Sequence, residues 1–304
     1  MRGSTPASGT IDARDSGGVR AAPRGGAHPL RRLARHPQGM IGGAIMAGLV
    51  LVAALAPLLV SQAPNAVDID QRFLPVSPRH PFGTDDLGRD VFARVVYGSR
   101  VALAAGFVTS ALAAVVGTFC GIVSGYFGKD VDNVIMRLTD AFLAFPSLVL
   151  LIAFAATFGP GLINAMVAIG ISSVPVFTRH LRGVTLVVRS RDFVEAARAQ
   201  GSGAWRILGR HILPNTLPLV LVLGSLQVGG AILAESGLSY LGLGTQPPTP
   251  SWGSMITQGN TYLQLAPWIA IFPGAAIFVT VLGANLLGDA LRDVLDPRLR
   301  GTLR

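Results

Sequence analysis

The chain has 304 residues, of which half are apolar and only 13% are charged, whereas soluble domains carry roughly 25% charged residues. This composition excludes a disordered protein and a nucleic-acid-binding protein with a broad basic surface. The net charge of +9 comes almost wholly from arginine, and in so apolar a chain basic residues usually set membrane orientation. We therefore expect a polytopic membrane protein that lies in a lipid bilayer and binds no nucleic acid.

The first segment of the chain is rich in Arg, Gly, Pro, Ser and Ala, a composition typical of a mobile tail. We interpret residues 1–38 as a cytoplasmic arm and residues 39–62 as the first transmembrane helix. A cleaved signal peptide is the alternative, but the basic region before the apolar run is too long for one.

Residues 63–100 are predicted to form an external segment. Asp86 can cap a short helix that continues through Tyr97 and lies at the membrane interface. Residues 101–290 then form the transmembrane core, and residues 291–304 form a cytoplasmic tail.

Uncharged runs long enough to cross a bilayer follow along the chain. The run over residues 141–178 is too long for one helix, and Gly159-Pro160-Gly161 at its middle indicates a turn, so we divide it into two spans. The fold class predicted is all-α, with six transmembrane helices. They are Met40–Val60, Val101–Gly128, Ala141–Phe158, Leu162–Thr178, His211–Ala234 and Leu263–Leu287.

The basic residues support this count. With six spans and both termini in the cytoplasm, 20 of the 25 basic residues fall on cytoplasmic segments, as the positive-inside rule requires. With five spans, one of the two segments that carry seven arginines each would lie outside.

The predicted spans carry no charge at mid-membrane, which argues against proton-coupled transporters, pumps and voltage sensors. Glu235 and Asp289 are expected at helix ends, near water. The sole lysine, Lys129, lies in Gly-Lys-Asp and forms no phosphate-binding loop, so another chain would have to hydrolyse any ATP used. Polar residues in the spans either line a pathway or bond to their own helices. They are Thr109, Ser110, Thr118, Asn164, Ser172, Ser173, Ser225, Gln227 and Asn285.

The cytoplasmic loop over residues 179–212 carries the most specific pattern. Asp192 followed by Glu195 is a variant of the helix-start box, and Gly201 ends the short alanine-rich helix that it begins. A second short helix is predicted over Ala204–Leu213, with Trp205 among its apolar positions. On these residues alone, the first helix either rests on anionic lipid or docks on a partner protein.

The same loop resembles a known family. Glu195-Ala196-Ala197, then Gly201, then Ile212-Leu213-Pro214 resemble the EAA signature of ABC importer permeases. The match extends to the dipeptide, oligopeptide and nickel branch. Two external segments, Phe82–Asp90 and Leu238–Gly244, are similar to its C-type subunit.

This resemblance implies the transmembrane domain of a type I ABC importer, in which the loop couples to an ATP-hydrolysing subunit. The implied partners are a second homologous permease subunit, two ABC ATPase subunits that hold ATP and Mg, and an external substrate-binding protein. The chain itself would bind no cofactor or metal and perform no bond chemistry. The implied coupling residues are Glu195, Ala196, Ala197, Gly201, Ile212, Leu213 and Pro214. Glu195 is expected to stabilise the loop by capping.

The solute implied is a di- or oligopeptide, with nickel as the main alternative in the family. The implied location is the plasma membrane of a bacterium. Outside the family, the alternatives are a stand-alone channel or facilitator and a membrane enzyme. The enzyme would need clustered nucleophiles, acids or ligands, a grouping that the sequence does not suggest.

Overall fold

The computed structural model describes residues 36–295, and every regular element within them is a helix, apart from one isolated bridge between Thr84 and Asp90. The all-α prediction is therefore confirmed. The arm predicted over residues 1–38 lies outside the described residues except for 36–38, and the tail lies outside them beyond residue 295. The helices are α1 (Pro37–Ala54), α2 (Ala56–Leu59), α3 (Val91–Phe127), α4 (Lys129–Leu143), α5 (Ser147–Phe158), α6 (Leu162–Arg189), α7 (Asp192–Ala199), α8 (Ala204–Ile207), α9 (Leu213–Tyr240), α10 (Trp252–Thr261) and α11 (Trp268–Leu295).

Five helical segments of the described chain are long and apolar enough to cross a membrane. A sixth crossing exists only if α4 and α5, which meet at 92°, are counted as one broken span. The helix α5 has 12 residues and is about 18 Å long, too short for a hydrocarbon layer of about 30 Å. The five segments are Pro37–Leu59, Val91–Phe127, Leu162–Arg189, Ala204–Tyr240 and Trp268–Leu295.

Two turns divide the run that we expected to hold the third and fourth spans. Pro146 lies directly before α5, where its missing N–H costs no helical hydrogen bond. Gly159 and Gly161 both have positive φ and form the turn between α5 and α6. The glycine-proline turn is thus confirmed, whereas the helix before it is interrupted at Pro146.

The segment over residues 63–100, which we predicted to be external, contains a different helix from the one expected. The expected short helix capped by Asp86 is instead the first part of α3, and its cap is Asp90, whose carboxylate accepts a 2.7 Å hydrogen bond from the Ala93 amide. Asp85 accepts hydrogen bonds from Arg89, including one of 2.7 Å from its Nε, so it closes the loop before the helix. The predicted boundary at residue 100 therefore lies inside a continuous helix.

Close packing of α3 on α6 forms the centre of the bundle. Three glycines of α3 at four-residue spacing, Gly117, Gly121 and Gly125, face Phe177, Leu181 and Thr185 of α6. A Cβ added at Gly121 would lie 2.7 Å from the Leu181 Cβ and 2.7 Å from the Thr178 carbonyl oxygen. Small residues at such spacing let two helix backbones approach closely in a membrane.

Four of the nine polar residues that we placed in the spans donate to carbonyls of their own helices: Thr109, Ser172, Ser173 and Ser225. The Ser110 and Thr118 hydroxyls are buried with no hydrogen-bond partner among the described residues. Two others join helices, and one of them is Asn164 of α6, which donates to the Phe158 carbonyl of α5 at 2.8 Å. The other is Gln227 of α9, which donates to the Ser173 hydroxyl of α6 at 2.7 Å. Of the two acids expected near water, Asp289 is exposed. The expectation for Glu235 is wrong.

Glu235 lies inside α9 and is almost completely buried. Its Oε1 accepts hydrogen bonds from the Ser239 hydroxyl at 2.6 Å and the Thr245 hydroxyl at 2.8 Å. The chain after α9 folds back over the carboxylate, and this return brings Thr245 to it. We had expected Glu235 at a helix end because it directly follows the uncharged run His211–Ala234, but the helix continues past it to Tyr240.

The glycine contact predicts a stability difference. Gly121→Ala should lower the free energy of unfolding by about 1–3 kcal/mol, because the new methyl group meets backbone atoms that cannot move independently of α6. Gly183→Ala is the matched control, since no atom lies within 4 Å of a Cβ built there. Thermal unfolding in detergent measures both, and equal midpoints for the two variants would contradict the packing account.

Candidate functional site

The predicted coupling loop is shorter than the range 179–212, because α6 continues to Arg189. The helix α7 follows over Asp192–Ala199, and its N-cap is Arg191 rather than Asp192. No side chain caps this end, so the capping role expected for Glu195 is wrong. Asp192 and Glu195 lie instead in the first turn, where negative charge is favourable to the helix dipole.

The end of α7 has a glycine-dependent cap. The Ser202 amide donates to the Ala197 carbonyl at 3.1 Å, and the Gly201 amide donates to the Arg198 carbonyl at 3.0 Å. This pair of bonds is a Schellman motif, which needs a left-handed residue at the position of Gly201. Gly201 has φ of +79°, so the prediction that it ends the helix is confirmed.

A small apolar cluster, which we call the loop cluster, holds α7 against the membrane helices. Val194 and Ala197 point inward from α7, and Val194 is fully buried. They pack against residues from the ends of α3 and α6 and from the start of the helix that leads into α9. The loop cluster consists of Ile122, Val188, Val194, Ala197, Ile207, Leu208 and Ile212.

Polar contacts add to the loop cluster. Arg189, the last residue of α6, donates to the Gly125 and Tyr126 carbonyls at 3.1 and 2.9 Å, which satisfies the end of α3. Two turns earlier in α6, Arg182 makes a bidentate ion pair with Asp132 of α4, with both N···O distances at 2.6 Å. Together these contacts join the C-terminal ends of α3 and α6 to the first turn of α4.

These arginine contacts were not anticipated from the sequence. The partners of Arg182 and Arg189 lie 50 or more residues away, and no periodic pattern relates them. The only available signal was the density of arginine in this segment, which we attributed to membrane orientation alone.

The structure divides the predicted coupling residues into three groups. Glu195, Ala196 and Gly201 are exposed on the outer side of the loop. Ala197 and Ile212 are buried together in the loop cluster. The remaining two, Leu213 and Pro214, form the first turn of α9 and do not contribute to the surface of α7.

We had expected a separate short helix between α7 and α9, but the structure shows one that continues into α9. The helix α8 passes into a π-helical stretch over Leu208–Ile212 and then directly into α9, so that one long helix covers Ala204–Tyr240. Pro214 lies in the first turn of α9, where proline is tolerated. The loop is therefore continuous with a spanning helix.

Two family models match the chain. One, described as a binding-protein-dependent transport system inner membrane component, matches residues 117–301. The other, described as the N-terminal TM domain of oligopeptide transport permease C, matches residues 29–75.

Curated relatives match over nearly the whole chain. A dipeptide transport system permease protein DppC of Alkalihalophilus pseudofirmus is 43% identical over 271 residues, covering 89% of each chain. A probable D,D-dipeptide transport system permease protein DdpC of Escherichia coli is 43% identical over 276 residues, covering 91% of this chain and 93% of the relative. A glutathione transport system permease protein GsiD of Pectobacterium atrosepticum is 42% identical over 271 residues, covering 89% of this chain and 90% of the relative.

A solved structure shares the fold. It is an inward-facing form of the MetNI methionine ABC transporter, and one of its chains aligns with a TM-score of 0.54 at 18% identity. The alignment covers 67% of the present chain and 97% of that chain. At this identity the likeness shows the fold alone.

The loop cluster predicts how firmly α7 is held. Val194→Ala removes buried methyl groups and should cost about 2 kcal/mol, so the open form of the loop becomes roughly 30-fold more populated. Trypsin should then cleave faster after Arg191 and Arg198, which flank Val194. Val187→Ala, at an exposed position near the end of α6, is the matched control. Unchanged cleavage of the Val194 variant would show that the cluster does not hold the loop.

Proposed function

The chain belongs to the family of binding-protein-dependent inner-membrane transport components and is a permease subunit of an ABC importer, and from that premise we propose that its solute is a di- or oligopeptide. The observation that supports this solute is the agreement among three relatives named for dipeptides, D,D-dipeptides and glutathione, each at least 42% identical along almost the full chain. All three solutes are short peptides.

The importer would contain more than this chain. We propose a second homologous permease subunit beside it, two ABC ATPase subunits that hold ATP and Mg on the cytoplasmic side, and an external substrate-binding protein. The family description supports the binding protein, since it names the transport as dependent on one. The match of residues 29–75 to a permease C domain supports pairing with a different, homologous permease.

We propose that the exposed side of α7 is the surface that an ATPase subunit contacts. Ala196 and Gly201 present little bulk there, so a partner backbone can approach closely, and Glu195 adds a charge that no described residue neutralises. Ala197 and Ile212 would hold α7 in place through the loop cluster. Leu213 and Pro214, in the first turn of α9, would transmit a displacement of α7 to that helix.

The packing of the loop supports alternating access as the transport mechanism. Through the loop cluster, a force on α7 acts on the cytoplasmic ends of α3 and α6, and through the continuous helix it acts on α9. When ATP binding closes the ATPase subunits, the three helices would move together and change which side of the membrane the pathway faces.

The orientation proposed has both termini and the α7 loop in the cytoplasm of a bacterium, which requires that α4 and α5 together make the sixth crossing. The charge distribution supports it, because 20 of the 25 basic residues lie on the segments that would be cytoplasmic. The same orientation places the segment after α2 and the return after α9 outside.

A charge at Gly201 tests the coupling role. Any side chain adds strain at the φ of +79° found at Gly201, but Asp tolerates positive φ better than most residues and no atom lies within 4 Å of a Cβ there. Gly201→Asp should therefore weaken the cap of α7 without unfolding the protein. The carboxylate would block close approach of the ATPase. We expect peptide transport and ATPase co-purification to fall by roughly tenfold or more, the effect of about 1.4 kcal/mol at an interface.

Gly203→Asp is the matched control for Gly201→Asp. Gly203 is the N-cap of α8, where an aspartate is favourable, and it also has open space around it. This variant should insert and transport normally. Normal transport by the Gly201 variant would refute the coupling role.

Cysteine labelling tests the orientation. In a Cys120→Ser background, Ser202→Cys should react with a membrane-impermeant maleimide only after the cytoplasmic side is opened. Thr249→Cys, on the exposed return after α9, should react in intact cells. The reverse pattern would overturn the proposed topology.

A further inference from the structure

Three exposed aromatic rings lie beside the α7 loop. Trp205 of α8 is 64% exposed, and its indole stacks on Phe119 of α3 with ring centroids 6.4 Å apart and planes within 7°. It also meets Phe127 of α3 edge-on, at 5.9 Å. Both phenylalanines are themselves exposed. We call Phe119, Phe127 and Trp205 the aromatic patch, and no residue described in the structure covers it.

The contacts of Trp205 locate the patch relative to the membrane. Phe119 and Phe127 lie two turns apart on α3, roughly 12 Å at 1.5 Å per residue. Both belong to the uncharged run that ends at Gly128, directly before Lys129. Trp205 therefore lies beside the last turns of a membrane span, where hydrocarbon gives way to headgroups.

Tryptophan is suited to this level of a bilayer, because its ring is apolar and its N–H seeks a polar partner. The Trp268 and Trp252 indoles donate to the Thr84 and Val95 carbonyls on the opposite side of the protein. Trp205 makes no such hydrogen bond to any residue from 36 to 295, so its N–H is available to a headgroup.

Positive charge adjoins the aromatic patch. Arg206 follows Trp205 directly, and Arg210 lies one turn further along the same helix, at a spacing that puts both on one side. Both are exposed, and neither pairs with an acid among the described residues. Lys129, also exposed, begins the helix after Phe127.

We propose that the aromatic patch, with Arg206 and Arg210, binds anionic phospholipid of the leaflet that faces the α7 loop. Two observations favour lipid over a protein partner. The patch continues an apolar stripe of α3, Val108, Val115 and Phe119, that is exposed along the span. The two arginines follow Trp205 on the same helix, and their side chains are exposed and long enough to reach a negatively charged headgroup.

This proposal assigns the two sides of the loop to different partners. The exposed residues of α7 are Asp192, Phe193, Glu195, Ala196, Arg198 and Ala199, whereas α8 and the stretch that follows it expose Trp205, Arg206 and Arg210. Lipid binding at α8 would hold the base of the loop at a fixed level while α7 moves. The proposal rests on the loop having the cytoplasmic orientation proposed above, although lipid contact itself can be measured without knowing the side.

Quenching of Trp205 fluorescence by brominated lipid tests the contact. The permease, purified with its associated subunits, is reconstituted in vesicles of dibrominated phosphatidylcholine or dibrominated phosphatidylglycerol. The signal of Trp205 is the difference between the wild-type protein and the Trp205→Phe variant, which keeps an aromatic ring in the patch. We expect this difference signal to fall by about half or more, because the ring lies within the lipid.

Headgroup charge is tested in the same vesicles. Quenching should be stronger with phosphatidylglycerol than with phosphatidylcholine. Each arginine should contribute a factor of roughly five to this preference, so the double variant Arg206→Gln with Arg210→Gln should lose most of it. Arg137→Gln, at an exposed position of α4, is the control and should keep the preference.

Three results would overturn the proposal. The first is no quenching of the Trp205 signal by either lipid. The second is equal quenching by both lipids in wild-type protein. The third is quenching that appears only after the ATPase subunits are stripped away, which would make the patch a protein interface. Co-purification of the ATPase subunits is scored separately, so failure of the lipid contact is distinguishable from failure of the transport assignment.

Discussion

The close approach of α3 and α6 is the contact on which the rest of the structure depends. Lipid offers no hydrophobic force to drive two spans together, so their association rests on backbone proximity and on packing. Glycines of α3 at four-residue spacing provide that proximity over two turns, down to Gly125 near the C-terminal end of α3. Arg189 then bonds to the carbonyls that end α3, and the loop cluster forms in the angle between the two helices. If α3 and α6 were further apart, α7 would have no surface to pack on.

The contact between α1 and the first part of α3 shows the same need to satisfy backbone groups in an apolar environment. Pro57 has no N–H, so the Ala53 carbonyl four residues earlier loses its helical partner. The Arg100 side chain replaces it with a 2.7 Å hydrogen bond. The break between α1 and α2 is therefore stabilised by a residue of α3. This bond also gives Arg100 a structural role that a simple count of external charges would miss.

The parts of the fold that depend on local chemistry could be predicted from the sequence. Runs without charge located five of the six predicted spans, whereas the third is interrupted at Pro146. Gly201 marked the end of α7 because a left-handed residue is needed there. Helix starts were less accurate, since Asp86 and Asp90 are equally good caps by residue type and only the fold of the loop before them selects Asp90. Burial of Glu235 could not be predicted, because one of its two hydrogen-bond donors, Thr245, comes from the chain that folds back after α9, ten residues later.

The loop cluster bears on how coupling could work. The buried apolar side chains of α7 and α8 pack within the chain, and the exposed residues of α7 are small or polar apart from Phe193, which is 39% exposed. The loop is therefore folded before any partner binds, and a partner does not have to pay the entropy of ordering it. Interaction energy from the ATPase would then be available to displace α7. Since α7 is joined to α3 and α6 by packing and to α9 by a continuous helix, that displacement would reach three spans at once, which is what a change of access across the membrane requires.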